Sequence, residues 1–309
     1  MIFAGAKERT AAAMQIYRSA GIRVLCRRLA GYCWKESVCL YVRARAREEL
    51  IETMVMGHKM YLSRDDKGIS RELMAYGVHE PVTTELLRQE IKRGMRVVDI
   101  GANIGYYTLQ AASLVGESGE VIAIEPVPEN VSLLRMNVKA NGYQNVRILE
   151  AAIGSDDGTA QLYLAAESNW SSLIRRHANQ SHIDVRLWKL DTLLAEEERV
   201  DYIKMDIEGS EAEVINGMIG ILRRYRPGMF IEAHPTHVGG KAIVRLLEQL
   251  RDLGYETKYV VDKAFNYPTV RTNAAVETLS ISRLMEDERV SRGQAVVTLF
   301  LEAQTGIPA

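Results

Sequence analysis

From Gly94 onward the chain alternates short apolar runs with stretches whose apolar positions recur at helical spacing. Arg96 to Ile100 is a β-branched run, and Tyr106 to Val115 then places apolar residues three and four apart, which predicts a strand at 97–100 and a helix at 104–115. The same alternation predicts a strand at 120–125, a helix from about 128 to 141 and a strand at 146–150, with Glu117-Ser118-Gly119 and Asn141-Gly142 as turns. Strands separated by helices pair in parallel and are covered on both faces. Residues 153–190 break the rhythm with the polar stretch Gly154 to Gly158 and the loop Glu167 to Ser172, and read as an irregular insertion. The pattern resumes with a strand from Val200 to Met205, helical periodicity from Ser210 to Arg224, a strand from Met229 to Ala233 and a helix near 239–252. Thr257 to Val261 and Ala295 to Leu301 are β-rich, whereas 262–293 are poorly patterned. Upstream, Ile22, Leu25, Cys26, Leu29 and Cys33 form one helical stripe, Met54 to Met56 and Met60 to Leu62 flank Gly57-His58 as a hairpin, and Pro81 opens a helix over Val82 to Ile91.

The turn after the first of the alternating strands carries the first chemical signal. Gly101 and Gly105 remove side chains where the backbone turns toward a helix start with free N–H groups. Glu125 ends the next strand, where an acid meets the hydroxyls of a ribose. The dinucleotide fingerprint G-x-G-x-x-G fails, because Asn103 and Tyr106 occupy its second and third glycine positions, so NAD is disfavoured. With Asp99 before the turn and Glu125 after the second strand, the pattern suits a cofactor with a ribose and an amino-acid tail but no phosphates. S-adenosylmethionine has that description.

Composition narrows the picture little. The 309 residues are 47% hydrophobic and 26% charged, with a net charge of −1, which is globular and gives no electrostatic case for a nucleic-acid partner. Charge is unevenly placed, since residues 1–50 hold ten basic and four acidic residues, a net +6 that leaves −7 for the remainder. Cys26, Cys33 and Cys39 are odd in number and match no metal spacing, so they are expected to be buried small hydrophobes. With no secretory signal and no uncharged run long enough to span a bilayer, the expected location is cytoplasmic. Residues 1–50 have two readings. One is a helical cap on the catalytic domain or on a second subunit, which leaves the choice between monomer and homodimer open; the other is a helix peripheral on the inner membrane surface, anchored by basic residues and Tyr32, Trp34 and Tyr41.

Several stretches occur together, in order, between about residues 76 and 235. They are Val98 to Gly105, Ala123-Ile124-Glu125-Pro126 with Asn130, Ala151-Ala152-Ile153-Gly154, the segment Ile203 to Glu211 with its D-x-E-G-x-E pattern, and Ile231-Glu232-Ala233-His234. In these stretches the chain resembles the FkbM-type S-adenosylmethionine-dependent methyltransferases of the class I superfamily. The resemblance implies an α/β fold with a doubly wound, mostly parallel, seven-stranded Rossmann-like sheet closed by an antiparallel hairpin from the tail. It makes 76–309 the methyltransferase domain and 1–75 an N-terminal helical and hairpin extension. It implies S-adenosylmethionine as cofactor, held by Glu80, Asp99, Gly101, Ala102, Asn103, Gly105, Tyr107, Thr108, Glu125, Pro126, Asn130, Ala151, Ala152 and Asp206, although Glu80 also reads as a plain helix cap. It further implies a small-molecule or glycan acceptor with a hydroxyl, on a glycan, a glycolipid or a secondary metabolite.

A hydroxyl is protonated at neutral pH, so its methylation calls for a base. Asp206, Glu208 and His234 are the candidate catalytic residues, and His234 has the best-matched unperturbed pKa, about 6.5. The same three residues are also able to bind a divalent cation, which is admitted but not required. No Asn-Pro-Pro-Tyr type tetrapeptide and no aromatic or basic stripe points to nucleic acid. Trp170, Ser171 and Ser172 are candidates for substrate contact, because an insertion after the third strand lies over the ligand crevice. Lys204 and Glu232 are expected to pair across neighbouring strands. The competing functions are a catalytically silent cofactor-binding scaffold and a nicotinamide-dependent dehydrogenase.

Overall fold

A computed structural model describes residues 2–46, 48–165, 167–176, 178–263, 266–269 and 276–304, the side chains of 2–20 excepted. Helix α1 (Ile2–Arg45) leads to strands β1 (Leu50–Val55) and β2 (His58–Ser63) and helices α2 (Ile69–Tyr76) and α3 (Pro81–Glu90). The β1–β2 turn places Met56 and Gly57 at φ 50° and 86°, the pair of positive angles that suits a two-residue hairpin. There follow β3 (Arg96–Ile100), α4 (Tyr106–Val115), β4 (Glu120–Glu125), α5 (Pro128–Ala140) and β5 (Val146–Glu150), as the alternation predicts. Next come β6 (Ala152–Ile153), β7 (Gly158–Tyr163) and β8 (His182–Trp188), and then β9 (Tyr202–Met205), β10 (Gly228–Ala233), β11 (Tyr255–Asp262), β12 (Val276–Glu277) and β13 (Val297–Ala303).

The main sheet runs in the order β12-β11-β13-β10-β9-β3-β4-β5. β5, β4, β3, β9 and β10 are parallel, and β13 lies antiparallel between β10 and β11. These seven strands are the doubly wound, mostly parallel sheet, with the tail as its antiparallel closure; the two-residue β12 extends its edge. Each central strand feeds two cores. Val98 and Ile100 of β3 and Ile122 and Ile124 of β4 enter one, while Val97, Val121 and Ala123 enter the other. The hairpin and α2 share the second core, since Val55, Met60, Leu62, Ile69 and Leu73 cluster with Tyr106 and Leu109.

Three expectations are corrected here. The insertion at 153–190 is not irregular throughout: β6, β8 and β7 form a second sheet around Val127, Ala152, Leu162 and Val185. The helix expected from Ser210 to Arg224 is broken into Glu211–Val214, a tight turn Ile215–Gly217 and Ile219–Tyr225. Gly217 is pressed so close to the Gly154 backbone that a Cβ there would stand 2.0 Å from its carbonyl oxygen, which fixes the break. Finally, α1 docks on α2 mainly through residues off the expected stripe. Gly31 accepts from the Tyr76 hydroxyl, Trp34 donates to the Ala75 carbonyl at 3.0 Å, and Glu36 pairs with Arg71. Most of the stripe points away, with Ile22 57% and Leu29 54% exposed and Leu25 half-buried. Cys39 is buried as expected, but Cys26 and Cys33 on the stripe are exposed and unbridged. Arg47 and the side chains of Lys7, Arg9 and Arg18 lie outside the described residues. Among those described, no helix is long and apolar enough to cross a membrane.

The expected Lys204–Glu232 pair is also corrected. Register sets Lys204 of β9 beside Phe230 of β10 on one side and Asp99 of β3 on the other. Its Nζ stands 3.2 Å from Asp99 Oδ1 and donates to the Gly101 carbonyl at 2.8 Å, while Asp99 Oδ2 accepts from Thr108 Oγ1 at 2.6 Å. Glu232 takes Lys263 instead. Removing one member of a buried pair strands the other charge, at a cost of about 3–5 kcal/mol. Lys204→Met should therefore destabilise by that amount in denaturant unfolding, and adding Asp99→Asn should recover part of the loss. Strict additivity of the two changes would contradict the pairing.

Candidate active site

Because β3, β4, β9 and β10 are parallel, the turns that follow Ile100, Glu125, Met205 and Ala233 share one edge of the sheet. Connection order reverses between β3 and β9, the place where doubly wound sheets open a crevice. The two turns touch there. The Asp206 N–H donates to the Ile100 carbonyl at 3.2 Å, and a Cβ on Gly101, whose φ is 77°, would lie 2.0 Å from the Asp206 carbonyl oxygen. Glycine is required both by the backbone angle and by the contact.

A cavity opens beside this contact, with Glu125 on one side. The buried Glu125 carboxylate accepts from the Asn103 N–H at 2.8 Å, the Val127 N–H at 3.1 Å and Asn130 Nδ2 at 3.0 Å. Burial pushes its pKa up against these donors. A carboxylate has about four acceptor positions, so three donors still leave room for a hydroxyl. Ala102, Ala151 and Ala152 keep the adjoining walls small, and the cavity's only lysine or arginine among the described residues, Lys204, is committed to Asp99. A ribose-bearing ligand without phosphates fits such walls.

The loop after β7 covers this end. The Ser168 carbonyl accepts from Asn103 Nδ2 at 3.0 Å and Asn130 Nδ2 at 3.3 Å. Its N–H and hydroxyl both donate to Asp66, at 3.0 Å each, and Asp66 also accepts from the N–H groups of Gly68 and Ser70 ahead of and within the first turn of α2. Of the expected substrate contacts, Ser171 and Ser172 line the cavity, whereas Trp170 faces outward, 48% exposed.

At the other end the turn after β9 carries two successive positive φ angles, 57° at Glu208 and 116° at Gly209. A non-glycine residue there is strained and is held by its surroundings: the Glu208 carbonyl accepts from Ser172 Oγ and Arg176 Nη2 at 3.0 Å each. Its carboxylate pairs with Arg176 at 3.2 Å. His234, 1% exposed, follows β10. Its Nδ1 stands 2.8 Å from Glu211 Oε1, and its Nε2 stands 3.5 Å from Glu232, 3.6 Å from Glu208 and 4.0 Å from Asp206. Burial pushes the Asp206 carboxyl up to about 7, with the Glu232 charge adding to it, and burial raises Glu208 too. Burial opposes a charge on His234, yet Glu211 and Glu208 outweigh it and hold its proton well above the ordinary range. That weakens His234 as a base and leaves the carboxylates better placed.

Of the residues implied to hold a cofactor, Gly101, Ala102, Asn103, Tyr107, Glu125, Pro126, Ala151, Ala152 and Asp206 line the cavity, as does Glu208. Glu80, Asp99, Gly105, Thr108 and Asn130 stand behind it. Asp99 and Thr108 bond each other, and Gly105 makes room for Leu134, whose Cδ1 would lie 2.6 Å from an added Cβ. Glu80 accepts from the Tyr107 hydroxyl at 3.3 Å and pairs with Lys263, and Asn130 acts through Glu125 and Ser168. Sequence reasoning missed Ser168, Arg176 and Lys263, which lie in stretches without periodicity. Glu211 stood in plain view in the D-x-E-G-x-E pattern, but nothing in the sequence tied it to His234.

One wall of the cavity also carries a titrating pair. His79 Nδ1 lies 3.1 Å from Glu72 and its Nε2 lies 3.9 Å from Glu80, with Tyr106 and Tyr107 edge-on. Burial opposes its charge, but Glu72 prevails and raises it to about 9, against about 6.5 in an unfolded chain. The pair's contribution is thus complete below about pH 6.5 and disappears as pH rises through about 9, a loss on the order of 3 kcal/mol. Unfolding free energy should fall across that window and fall less in His79→Gln. Identical pH profiles for the two proteins would exclude the pair.

Comparison with known proteins agrees with this geometry. The family model for the methyltransferase FkbM domain matches residues 99–257, slightly more than half of the chain. A protein-L-isoaspartate O-methyltransferase of Methanococcoides burtonii is 38% identical over 73 residues, which is 24% of this chain and 34% of that protein. Methyltransferase 1 of Beauveria bassiana is 26% identical over 144 residues, covering 40% of this chain and 57% of that one. The matched stretch therefore spans about a third of the length of the first relative and under two thirds of the second. The crystal structure of methyltransferase FkbM from Methylobacillus flagellatus KT shares 14% identity at a TM-score of 0.42, covering 75% of this chain and 53% of that one. The matched segment carries the Gly101 turn, Glu125, the Asp206–Glu211 turn and His234, and the chain belongs to the FkbM methyltransferase family, whose cofactor is S-adenosylmethionine.

Proposed function

We propose that this protein methylates a hydroxyl of a sugar-containing or secondary-metabolite acceptor. The observation that carries the reading is the pair of carboxylates, the partly buried Asp206 and the buried Glu208, on the wall of the cavity that also contains Glu125. The chemistry supplied by S-adenosylmethionine, when bound, is an electrophilic methyl group on a sulfonium. Glu125 receives the ribose hydroxyls, and the Gly101–Asp206 contact sets how near the backbone lies to the ligand. As the acceptor oxygen bonds to the methyl carbon and the carbon–sulfur bond breaks, the hydroxyl proton must leave, and Asp206 and Glu208 are the groups able to take it. The resemblance to FkbM-type enzymes supports a sugar or secondary-metabolite acceptor.

A second reading comes from the name of the protein-L-isoaspartate relatives, which implies a carboxyl acceptor for those proteins. A carboxylate needs no base and is repelled by a wall carrying Asp206 and Glu208, which favours the hydroxyl. The products separate the two. Methyl label transferred to glycan, glycolipid or hydroxylated small molecules should resist mild base, as an ether does. Release of the label as methanol would establish an ester, and S-adenosylmethionine binding without transfer to any acceptor would make the chain a silent scaffold. In the same assay Glu208→Gln should lower kcat by about a hundredfold or more. Glu125→Ala should weaken S-adenosylmethionine by about 1.5–3 kcal/mol in calorimetry, and unchanged affinity would remove Glu125 from the ribose site.

A further inference from the structure

Behind the Asp206 and Glu208 wall of the cavity, carboxylates outnumber cations. Asp206, Glu208, Glu211 and Glu232 surround His234, whereas the nearby side-chain cations are Arg176 on Glu208, Lys263, which Glu232 shares with Glu80, and Lys204, which is committed to Asp99. Besides Ser210 Oγ and Glu211 Oε2, two atoms there have no hydrogen-bond partner among the described residues, Nε2 of the deeply buried His234 and Oδ1 of the partly buried Asp206. They face each other across 4.0 Å, and Glu232 Oε1 lies 3.5 Å from the same nitrogen. The first separation is well beyond hydrogen-bond range and the second lies outside the usual N–H···O range. Donors each about 2.1 Å from a shared ion stand about 3.0 Å apart when adjacent and about 4.2 Å when opposite. The other ring nitrogen, Nδ1, is bonded to Glu211 at 2.8 Å. The metal-free ring is held protonated, so an ion must displace the Nε2 proton; with the remaining proton on Nδ1 the lone pair then lies on Nε2, the arrangement that orients a metal-ligating histidine.

From this geometry we infer that Asp206, Glu232 and His234 bind a divalent cation of the Mn²⁺ or Mg²⁺ class. One imidazole, two carboxylates and no thiolate make a hard donor set. The three ligand atoms lie within 4.8 Å of one another. Glu208, His234 and His237 are equally close together, but the rings of His234 and His237 are stacked 11° from parallel with centroids 5.1 Å apart, so one ion cannot lie in both ring planes. His237 Nδ1 is also within 3.0 Å of Arg176 Nη2. The ion's part in catalysis rests on the methyl-transfer reading, whereas its binding does not. An ion beside Asp206 takes the acceptor hydroxyl as a further ligand and lowers its pKa, and the proton passes to Glu208 as the oxygen–methyl bond forms and the methyl–sulfur bond breaks.

The test uses the full chain, freed of metal with a chelator and titrated with MnCl₂ by calorimetry and electron paramagnetic resonance. One Mn²⁺ per chain is expected, with echo modulation from a coordinated imidazole nitrogen. His234→Gln should abolish that modulation and weaken Mn²⁺ binding about tenfold or more. Wild-type protein that binds no Mn²⁺ at millimolar concentration, or binds it without nitrogen coupling, overturns the site and needs no variant to do so. Methyl transfer that continues undiminished in metal-free protein overturns the ion's catalytic part and leaves methyl transfer standing. Nitrogen-coupled Mn²⁺ in a protein that transfers no methyl group supports the site and counts against methyl transfer alone.

Discussion

The contact between Gly101 and the Asp206 carbonyl sets the dimensions of the site. It brings together the glycine turn beside Glu125 and the turn that carries the acids, and it exists because β3 and β9 are hydrogen-bonded neighbours. Lys204 lies directly beneath. By bonding the Gly101 carbonyl and Asp99 at once, its ammonium fastens the β9 strand to the β3 turn from inside the sheet. A charge buried between central strands is costly unless partnered, and here partnership and position are the same fact. Widening that contact by one side chain would move both ends of the cavity apart.

The two ends of the cavity use opposite means. Around Glu125 the protein supplies backbone and amide N–H donors to a lone carboxylate, which settles its orientation before a ligand arrives. Around His234 it crowds carboxylates together with too few donors, which leaves strong acceptors aimed at a small space. The first arrangement leaves an oriented acceptor for a hydroxyl, and the second concentrates negative potential.

Period and punctuation carried most of the sheet. The runs at Val97 to Ile100 and Val121 to Ile124 are apolar on both faces, Asp99 alone excepted, because helices cover both sides of the sheet, and Gly101 announced the turn that only glycine can make. The hairpin of the second sheet was also legible, since His182 to Leu187 alternates polar and apolar residues strictly, but its neighbourhood of polar loops masked it. What could not be read was pairing at a distance. Lys204 had acids within reach on either neighbouring strand, and only register chose Asp99 over Glu232. The helix at the start misled for a different reason. Its apolar stripe was real, but α1 is held to α2 by Gly31 and Trp34 off that stripe and by the polar Glu36 that continues it, so periodicity identified an apolar face without saying where it points.

Asp66 has a reach larger than its size. All four of its acceptor positions are used, two by the first turn of α2 and two by Ser168, and Ser168 lies on the loop that roofs the cavity. The roof is therefore hinged on a residue 33 positions before the segment that matches the family begins. Any shortened version of the chain that starts at the matched segment loses the His79 wall of the cavity and, with Asp66, the peg that its ceiling hangs from.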